Sequence, residues 1–281
     1  MSTMVYGPPW IINGPVPAPP PYRLLDVAQI LDYNGDPHWE NGVQLYPYPN
    51  DLPDAVTPCL EGTFRDKEVG GEVPLPIFGP FTAYLPESCS SLSIVDQEAY
   101  RMRAELVLGA TESFPVERQL ITGLYVPTNP YVGDANVTIL NSGNPADGQS
   151  SLALLEDAIG RTGKQGMIHA TPSVVSAWDA TGYTLVESGG ILRTRRGTPV
   201  AVGDGYIDTK PDGTAALADG EAYAYATGPV QISRSEMFML PDNVKEALDR
   251  DSNLITYRAE RTYVVDWDTE LAAAVLVDWS A

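Results

Sequence analysis

Residues 254–279 read LITYRAERTYVVDWDTELAAAVLVDW, and this stretch decides the class of fold. β-branched and aromatic residues dominate its two apolar segments, residues 254–265 and residues 271–279. Side chains of these types fit the pleated, half-buried surface of a β-sheet. The sequence therefore predicts that the chain ends in a long strand followed, after a turn, by a second apolar strand. Residues 230–239 predict another strand just before them.

The best predicted helix lies in the first half of the chain, at about residues 94–109. The apolar residues that recur at helical spacing on one of its faces are Val95, Ala99, Met102 and Leu106. We expect this face to be buried. Arg101 and Glu105 lie on another face, and their i, i+4 spacing allows an ion pair. A second helical piece is predicted at residues 112–121.

From about residue 124, short strands alternate with short helices. Residues 136–140 and 167–170 predict strands, and a helix with Pro172 at its favoured first position follows the second of them. His169 lies inside that apolar strand, where a hydrogen-bonded structural histidine is expected.

The first 60 residues contain 12 of the 25 prolines, with aromatic residues between them. Proline fixes φ and removes a backbone donor, which excludes a long helix or a central strand here. The rings need a surface on which to be buried. We therefore interpret the stretch as an extended arm on a neighbouring surface, such as another copy of the chain; a strap over the chain's own core is the alternative. The arm's candidate contact residues are Tyr6, Trp10, Tyr22 and Trp39.

Residues 57–76 predict an extended hairpin, because strand-type residues flank a charged run and the pair Gly70-Gly71. Its charged residues, Arg65, Asp66, Lys67 and Glu68, are candidate ion-pairing contacts between subunits. A solvated loop tip is the alternative. Exposed ion pairs contribute only about 0 to 1 kcal/mol each, but a repeated assembly multiplies small contributions. Arg101 and Glu105 complete the set of candidate inter-subunit residues.

The charge balance restricts the class of partner. Seventeen basic and 37 acidic residues give a formal net charge of -20. Nucleic-acid binding depends on neutralising phosphates with basic side chains, so this composition excludes a DNA-binding module. It suits the wall of a container to which DNA must not adhere, or it serves solubility alone. The sequence has no apolar run long enough to span a membrane, and the first ten residues lack the features of a secretion signal.

The residues that could carry chemistry are few. Two cysteines and two histidines make a poor supply of zinc ligands, and we expect Cys59 and Cys89 to be reduced thiols. Asp266 and Asp268 could act as paired carboxylates, but we expect them in an exposed turn between two strands. The sequence has no Gly-x-Ser-x-Gly motif. We expect no enzymatic activity, no metal and no cofactor.

Several stretches between residues 150 and 281 resemble, in order, the second half of HK97-type major capsid proteins, including those of actinobacterial tailed bacteriophages. They are GMIHATP at 166–172, GILRT at 190–194, GTPVAVG at 197–203, ATGPV at 226–230, RAER at 258–261 and AAVLVD at 273–278. The order of predicted elements along the rest of the chain is also similar to that family's order.

The resemblance implies an α+β, HK97-like capsid fold with five parts. These are an N-terminal arm at 1–56, an extended hairpin (the E-loop) at 57–76, a peripheral domain at 77–123 and 229–270, a mixed α/β axial domain at 124–228, and a C-terminal strand at 271–281. The helix at about 94–109 would be the spine helix of the peripheral domain, which also holds the long strands.

The implied function is that of a major capsid protein. It would self-assemble as pentamers and hexamers into an icosahedral virion shell that encloses double-stranded phage DNA without binding it specifically. The partners would be copies of itself, with scaffolding, portal and decoration proteins as further candidates, and assembly would occur in the host cytoplasm. An encapsulin-type nanocompartment shell, or a decoration or tail protein, stays open as an alternative. Deletion of residues 1–50 is expected to leave a folded subunit that assembles poorly.

Overall fold

The computed structural model describes residues 14–33, 43–44, 76–90, 97–134, 136–182, 185–206, 211, 217–241, 244–252 and 254–280. The helices in these ranges are α1 (Leu24–Val27), α2 (Gln97–Thr111), α3 (Ser113–Thr122), α4 (Gly148–Arg161), α5 (Pro172–Ala180) and α6 (Val244–Ala247). The strands are β1 (Gln29–Tyr33), β2 (Val43–Gln44), β3 (Ile77–Phe78), β4 (Phe81–Ser90), β5 (Thr138–Ile139), β6 (Met167–Ala170), β7 (Val186–Ser188), β8 (Ile191–Arg193), β9 (Pro199–Val202), β10 (Glu221–Thr227), β11 (Val230–Ser235), β12 (Phe238–Leu240), β13 (Leu248–Asp249), β14 (Leu254–Trp267) and β15 (Ala272–Asp278). No helix among them is long and apolar enough to cross a membrane.

The first sheet is built around β14, the long strand that the sequence predicts near the end of the chain. β4 pairs antiparallel with it from Phe81, opposite Tyr263, to Ser90, opposite Leu254. β11, β12 and β13 also pair with β14, and β1 adds to β11 in parallel. The strand reaches Trp267, two residues beyond the predicted end, so Asp266 belongs to the sheet rather than to a turn.

Helices α2 and α3 contact this sheet, and α2 corresponds to the helix predicted at about 94–109. Residues 94–96 lie outside the described ranges. The predicted buried face was wrong: the side chains of Met102 and Leu106 are 54% and 39% exposed, whereas Ala104 and Leu108 are buried. A second apolar stripe contacts the core instead. It consists of Ala104, Leu108 and the partly buried Tyr100, which follow one another at i, i+4 spacing. Periodicity identifies both stripes but does not tell which one the sheet covers.

The second sheet has seven strands in the order β5-β15-β10-β6-β9-β8-β7. Its centre is apolar on both faces, and the strand predicted at 167–170 is present as β6, with all four residues buried. Helices α4 and α5 cover one face. Trp178 on α5 is fully buried, and its indole Nε1 donates a hydrogen bond to the hydroxyl of Ser151 on α4 at 3.0 Å. Parallel pairs (β6 with β9, and β15 with β5) make this a mixed sheet.

Part of the predicted N-terminal arm lies on its own chain. Leu24 and Leu25 are buried in the core, and β1 pairs with β11 from Gln29 to Tyr33. For residues 24–33 the expectation of an arm on a neighbouring surface was therefore wrong. The prolines of the early stretch end at Pro21 and resume at Pro37, so the residues between keep the amide donors that a strand needs. Residues 57–75 of the predicted hairpin lie outside the described ranges.

Candidate inter-subunit surface

Three of the ten predicted contact residues fall in the described part of the chain: Tyr22, Arg101 and Glu105. Tyr22 adopts a left-handed backbone conformation with φ of 63°. Its hydroxyl donates a hydrogen bond to Glu187 at 3.0 Å, and this bond raises the pKa of Tyr22. Tyr22 thus joins the arm to β7 of the same chain. The other seven, Tyr6, Trp10, Trp39, Arg65, Asp66, Lys67 and Glu68, lie outside the described residues.

The spacing of Arg101 and Glu105 allows an ion pair, but none joins these two described residues. The Arg101 guanidinium lies over the ring of Tyr257, 5.7 Å from its centroid. The ion pair on this helix is instead Arg103 with Glu87 of β4, at 2.9 Å. A guanidinium over a buried aromatic ring contributes more free energy of stabilisation than an exposed i, i+4 ion pair, which contributes about 0.3–0.5 kcal/mol.

The misassigned face of α2 forms an apolar groove with the arm, which we call the helix groove. Met102 and Leu106 lie on its helical side and Val16 on its arm side; all three are exposed. The groove has a volume of about 380 Å³, and its lining residues are Gly14, Pro15, Val16, Pro17, Ala99, Met102, Arg103, Leu106 and Val107. The exposed apolar side chains that line it make the groove a candidate contact surface.

A second apolar surface surrounds a cavity of about 560 Å³ between β4, α3 and the loop after β9, which we call the aromatic cavity. Phe81 and Tyr125 stack there with ring centroids 5.2 Å apart. Tyr84, Phe114 and Tyr125 are exposed at its rim. Aromatic rings supply a large contact area per side chain, and the centres of protein interfaces are rich in them.

Glu112 lies at the junction of α2 and α3 and is buried. Its carboxylate accepts two hydrogen bonds from Arg261 Nη1, at 2.9 and 3.1 Å, and one from the hydroxyl of Tyr263 at 2.6 Å. Burial and the adjacent carboxylate raise the pKa of Tyr263. A buried charge of this kind is tolerated only when it is paired and hydrogen-bonded. The cluster fixes the helix junction on β14.

Glu117, on α3, connects the helix to the loop that follows β9. It is 2% exposed, accepts a hydrogen bond from Ser113 Oγ at 2.6 Å and another from the Gly205 amide at 3.0 Å. Desolvation raises the pKa of Glu117 to about 7, because its partners are neutral. A Cβ on Gly203 or on Gly205 would collide with the Glu117 side chain, so both glycines are needed for this close approach.

His169 and Asp266 both lie in buried, hydrogen-bonded surroundings. His169 is fully buried between the hydroxyls of Thr227 (2.8 Å) and Tyr206 (3.3 Å), and desolvation lowers its pKa to about 3. The expectation of a hydrogen-bonded structural histidine is confirmed. Asp266 is also fully buried, which makes the exposed-turn expectation wrong for it. Burial raises the pKa of Asp266 to about 6, and Gln231 donates to its carboxylate at 3.2 Å.

Within the described ranges, no group of three or more His, Cys, Asp or Glu residues is arranged to hold a metal ion. Asp268 lies 3.6 Å from Lys164 and forms an ion pair with it. The described surface therefore combines exposed apolar and aromatic side chains with buried polar groups, most of which are hydrogen-bonded.

Models of protein families and the curated proteins yield no match to this sequence. Solved structures do match over nearly the whole chain. The capsid of a native GTA particle aligns with a TM-score of 0.55 and 12% identity, covering 99% of this chain and 97% of that one. The capsid asymmetric unit of cyanophage Pam1 aligns with a TM-score of 0.53 and 9% identity, covering 100% and 98%. A protein of Gordonia phage Cozz gives 0.52 and 12%, covering 99% and 91%.

These similarities define the fold. The chain adopts the HK97-like capsid fold, as its resemblance to that family predicted, and its α+β class is confirmed. At sequence identities of 9–12%, these similarities show the fold and nothing more specific about the protein.

Proposed function

We propose that this chain is the major capsid protein of a tailed bacteriophage, a subunit of an icosahedral shell around double-stranded DNA. The observation that carries the proposal is the near-complete alignment, 99% and 100% of the chain, with proteins that form the capsids of a GTA particle and of cyanophage Pam1. The subunit acts by assembly rather than by catalysis.

The surfaces of the molecule suit this role. A stable contact buries on the order of 800 Å² on each partner, and a shell subunit makes several such contacts. The helix groove and the aromatic cavity present apolar surface on different elements. We assign both surfaces to contacts between copies. Residues 1–13 and 34–56 of the arm and the hairpin at 57–76 are further proposed contact elements, whereas residues 24–33 pack on their own chain.

The net charge of -20 supports enclosure of DNA without adhesion. Phosphates repel an acidic wall, so packaged DNA does not bind along it. The proposed partners are therefore copies of this chain, arranged as pentamers and hexamers, together with scaffolding, portal or decoration proteins. The proposed location is the virion, after assembly in the host cytoplasm.

Sedimentation velocity of the purified chain, with negative-stain electron microscopy of each species, tests the proposal. We expect pentamers, hexamers or closed shells. A chain that stays a monomer or a trimer, even when a scaffolding protein is supplied, would contradict it and favour a decoration protein. The contents of shells recovered from cells separate the two container functions: packaged DNA supports a capsid, whereas a protein cargo without DNA indicates an encapsulin-type compartment.

A further inference from the structure

A tight turn between β8 and β9 concentrates positive charge on this acidic molecule. Arg193, Arg195 and Arg196 lie within four residues, in a chain with 17 basic residues in all. The turn comprises residues 193–198, and we call it the arginine turn. Arg195 is exposed, and the side chain of Arg196 is 70% exposed. A protein with a net charge of -20 does not need a cluster of arginines to stay soluble.

The arginine turn is held rigidly. The carboxylate of Glu156, buried on α4, accepts hydrogen bonds from the hydroxyls of Thr194 at 2.5 Å and Thr198 at 3.1 Å. Arg193 donates from Nη1 to the carbonyl of Gly197 at 2.9 Å. Nε of Arg196 lies 3.8 Å from Glu156, and Nη2 of Arg195 donates to the Gly182 carbonyl at 3.3 Å. Each exposed guanidinium keeps further donors available, and a pre-ordered turn loses little entropy on binding.

A cavity of about 500 Å³ carries the opposite charge; we call it the acidic cavity. Three carboxylates line it, those of Asp204, Asp219 and Glu221, and none of its lining residues in the described ranges is basic. Glu221 accepts a hydrogen bond from the Ala218 amide at 3.2 Å, while Asp204 and Asp219 are exposed. Thr171 also lines the cavity; it is 7% exposed, and its hydroxyl has no hydrogen-bond partner. A cationic donor would complement both the carboxylates and this hydroxyl.

The two features lie at opposite ends of the second sheet. β9 begins at Pro199, directly after the arginine turn, and ends at Val202, just before Asp204. β6 runs parallel to β9, so Thr171 follows its end on the side of Asp204. β10 runs antiparallel to β6 and begins at Glu221, on that same side. One sheet therefore carries a basic turn at one end and an acidic cavity at the other.

We propose that the arginine turn of one copy binds the acidic cavity of the next copy around a capsomer ring. A ring is built from a head-to-tail interface, which needs two different and complementary patches on each subunit. Arginine suits the basic patch, because its planar guanidinium binds carboxylates through paired hydrogen bonds. This inference rests on the proposed function, and it names the contact that sets the direction of the ring.

Charge reversal tests the contact. We expect the R195E/R196E variant, and separately the D204R/D219R variant, to form at least tenfold less capsomer than the wild type, because like charges then face each other. The quadruple variant that carries both changes should recover capsomers, since the charges are again complementary. R250E is the control: it reverses an exposed arginine that follows β13, a strand of the first sheet, and it should assemble as the wild type does.

Mixing the two double variants gives a sharper result. Every contact in the mixture is complementary only when the two variants alternate around the ring. An alternating ring must contain an even number of copies, so hexamers should form and pentamers should not. Native mass spectrometry distinguishes these species. Equal recovery of pentamers and hexamers from the mixture would overturn the proposal.

The outcomes separate this inference from the proposed function. If the wild type forms no capsomers, the proposed function fails. If it assembles and R195E/R196E assembles equally well, or if the quadruple variant fails to recover, only the arginine contact is overturned. As a measurement that needs no charge reversal, R195C/D219C in a C59S/C89S background should be joined into chains by a bis-maleimide cross-linker within assembled particles, and assembled particles that yield only monomers would also overturn the contact.

Discussion

Two buried glutamates, five residues apart, show how the surroundings of a carboxylate set its role. Glu112 is paired with Arg261 within a hydrogen-bonded cluster. Glu117 has only neutral donors, with the carboxylate of Asp204 and the hydroxyl of Tyr206 nearby, and its pKa rises to about 7. The first glutamate joins a helix junction to β14, whereas the second changes charge near neutrality. Neither role can be read from the one-letter sequence, because both depend on residues that are distant along the chain.

Glu117 predicts a dependence of folding stability on pH. Its pKa is about 7 when folded and 4.5 as the ordinary value, so the folded state holds the proton more tightly. Stability should fall as the pH rises from about 4.5 to about 7 and then level off. The E117Q variant keeps a neutral side chain that can bond both Ser113 and Gly205. At pH 8 we expect the free energy of unfolding of E117Q to exceed that of the wild type by about 2–3 kcal/mol, whereas at pH 4.5 the two proteins should be about equally stable.

Urea unfolding of both proteins at several pH values between 4.5 and 8 measures this effect. The exposed Glu105 provides the control, because E105Q should leave the pH dependence of the wild type unchanged. Parallel curves for the wild type and E117Q would contradict the assignment. His169 acts with the opposite sign in both proteins: its lowered pKa makes stability fall as the pH drops below about 6.5. The comparison between variants cancels its contribution.

At the scale of elements, the sequence predicts the existence of helices and strands better than it predicts their surroundings. The long strand near the C-terminus and the α2 helix are both found, because each has a sustained pattern. The buried face of α2 was assigned wrongly because two apolar stripes compete on that helix. β1 was missed because its edge pairing depends on β11, about 200 residues away along the chain.

The two stripes of α2 predict different costs of truncation. Leu108 is buried in the core, so L108A should lower the free energy of unfolding by about 2–5 kcal/mol. Leu106 lies in the helix groove and is 39% exposed, so L106A should cost less than about 1 kcal/mol while weakening capsomer formation. Chemical denaturation and sedimentation of the two variants measure both effects. A larger loss of folding stability from L106A than from L108A would contradict this packing.

The N-terminal segment gives a prediction by deletion. Deletion of residues 1–13 leaves Leu24, Leu25 and β1 in place, and the subunit should keep its unfolding midpoint. Deletion of residues 1–33 removes these core contacts and the edge strand, and it should lower that midpoint strongly or prevent folding. The same holds for deletion of residues 1–50, for which the sequence alone predicted a folded product. Equal midpoints for both shorter chains would show that the segment adds nothing to the core.

At the scale of the whole molecule, the resemblance in residues 150–281 predicts the HK97-like fold that the structure has. The net charge of -20 only restricts the expected class of partner, because it disfavours phosphate binding. The contacts between copies could not be predicted in the same way. Tyr22 and Arg101 were chosen for residue type, yet both contact their own chain. The exposed apolar surfaces and the opposite charges at the two ends of the second sheet are visible only after folding.

Electron cryo-microscopy of particles formed by the purified chain, with scaffolding protein supplied if the chain alone forms only capsomers, tests the central claim most directly. We predict closed shells with five and six copies around their symmetry axes, in which each subunit's density matches the two sheets and the α2 helix. Particles without five-copy capsomers, or a chain found only as trimers on the surface of another protein's shell, would contradict it.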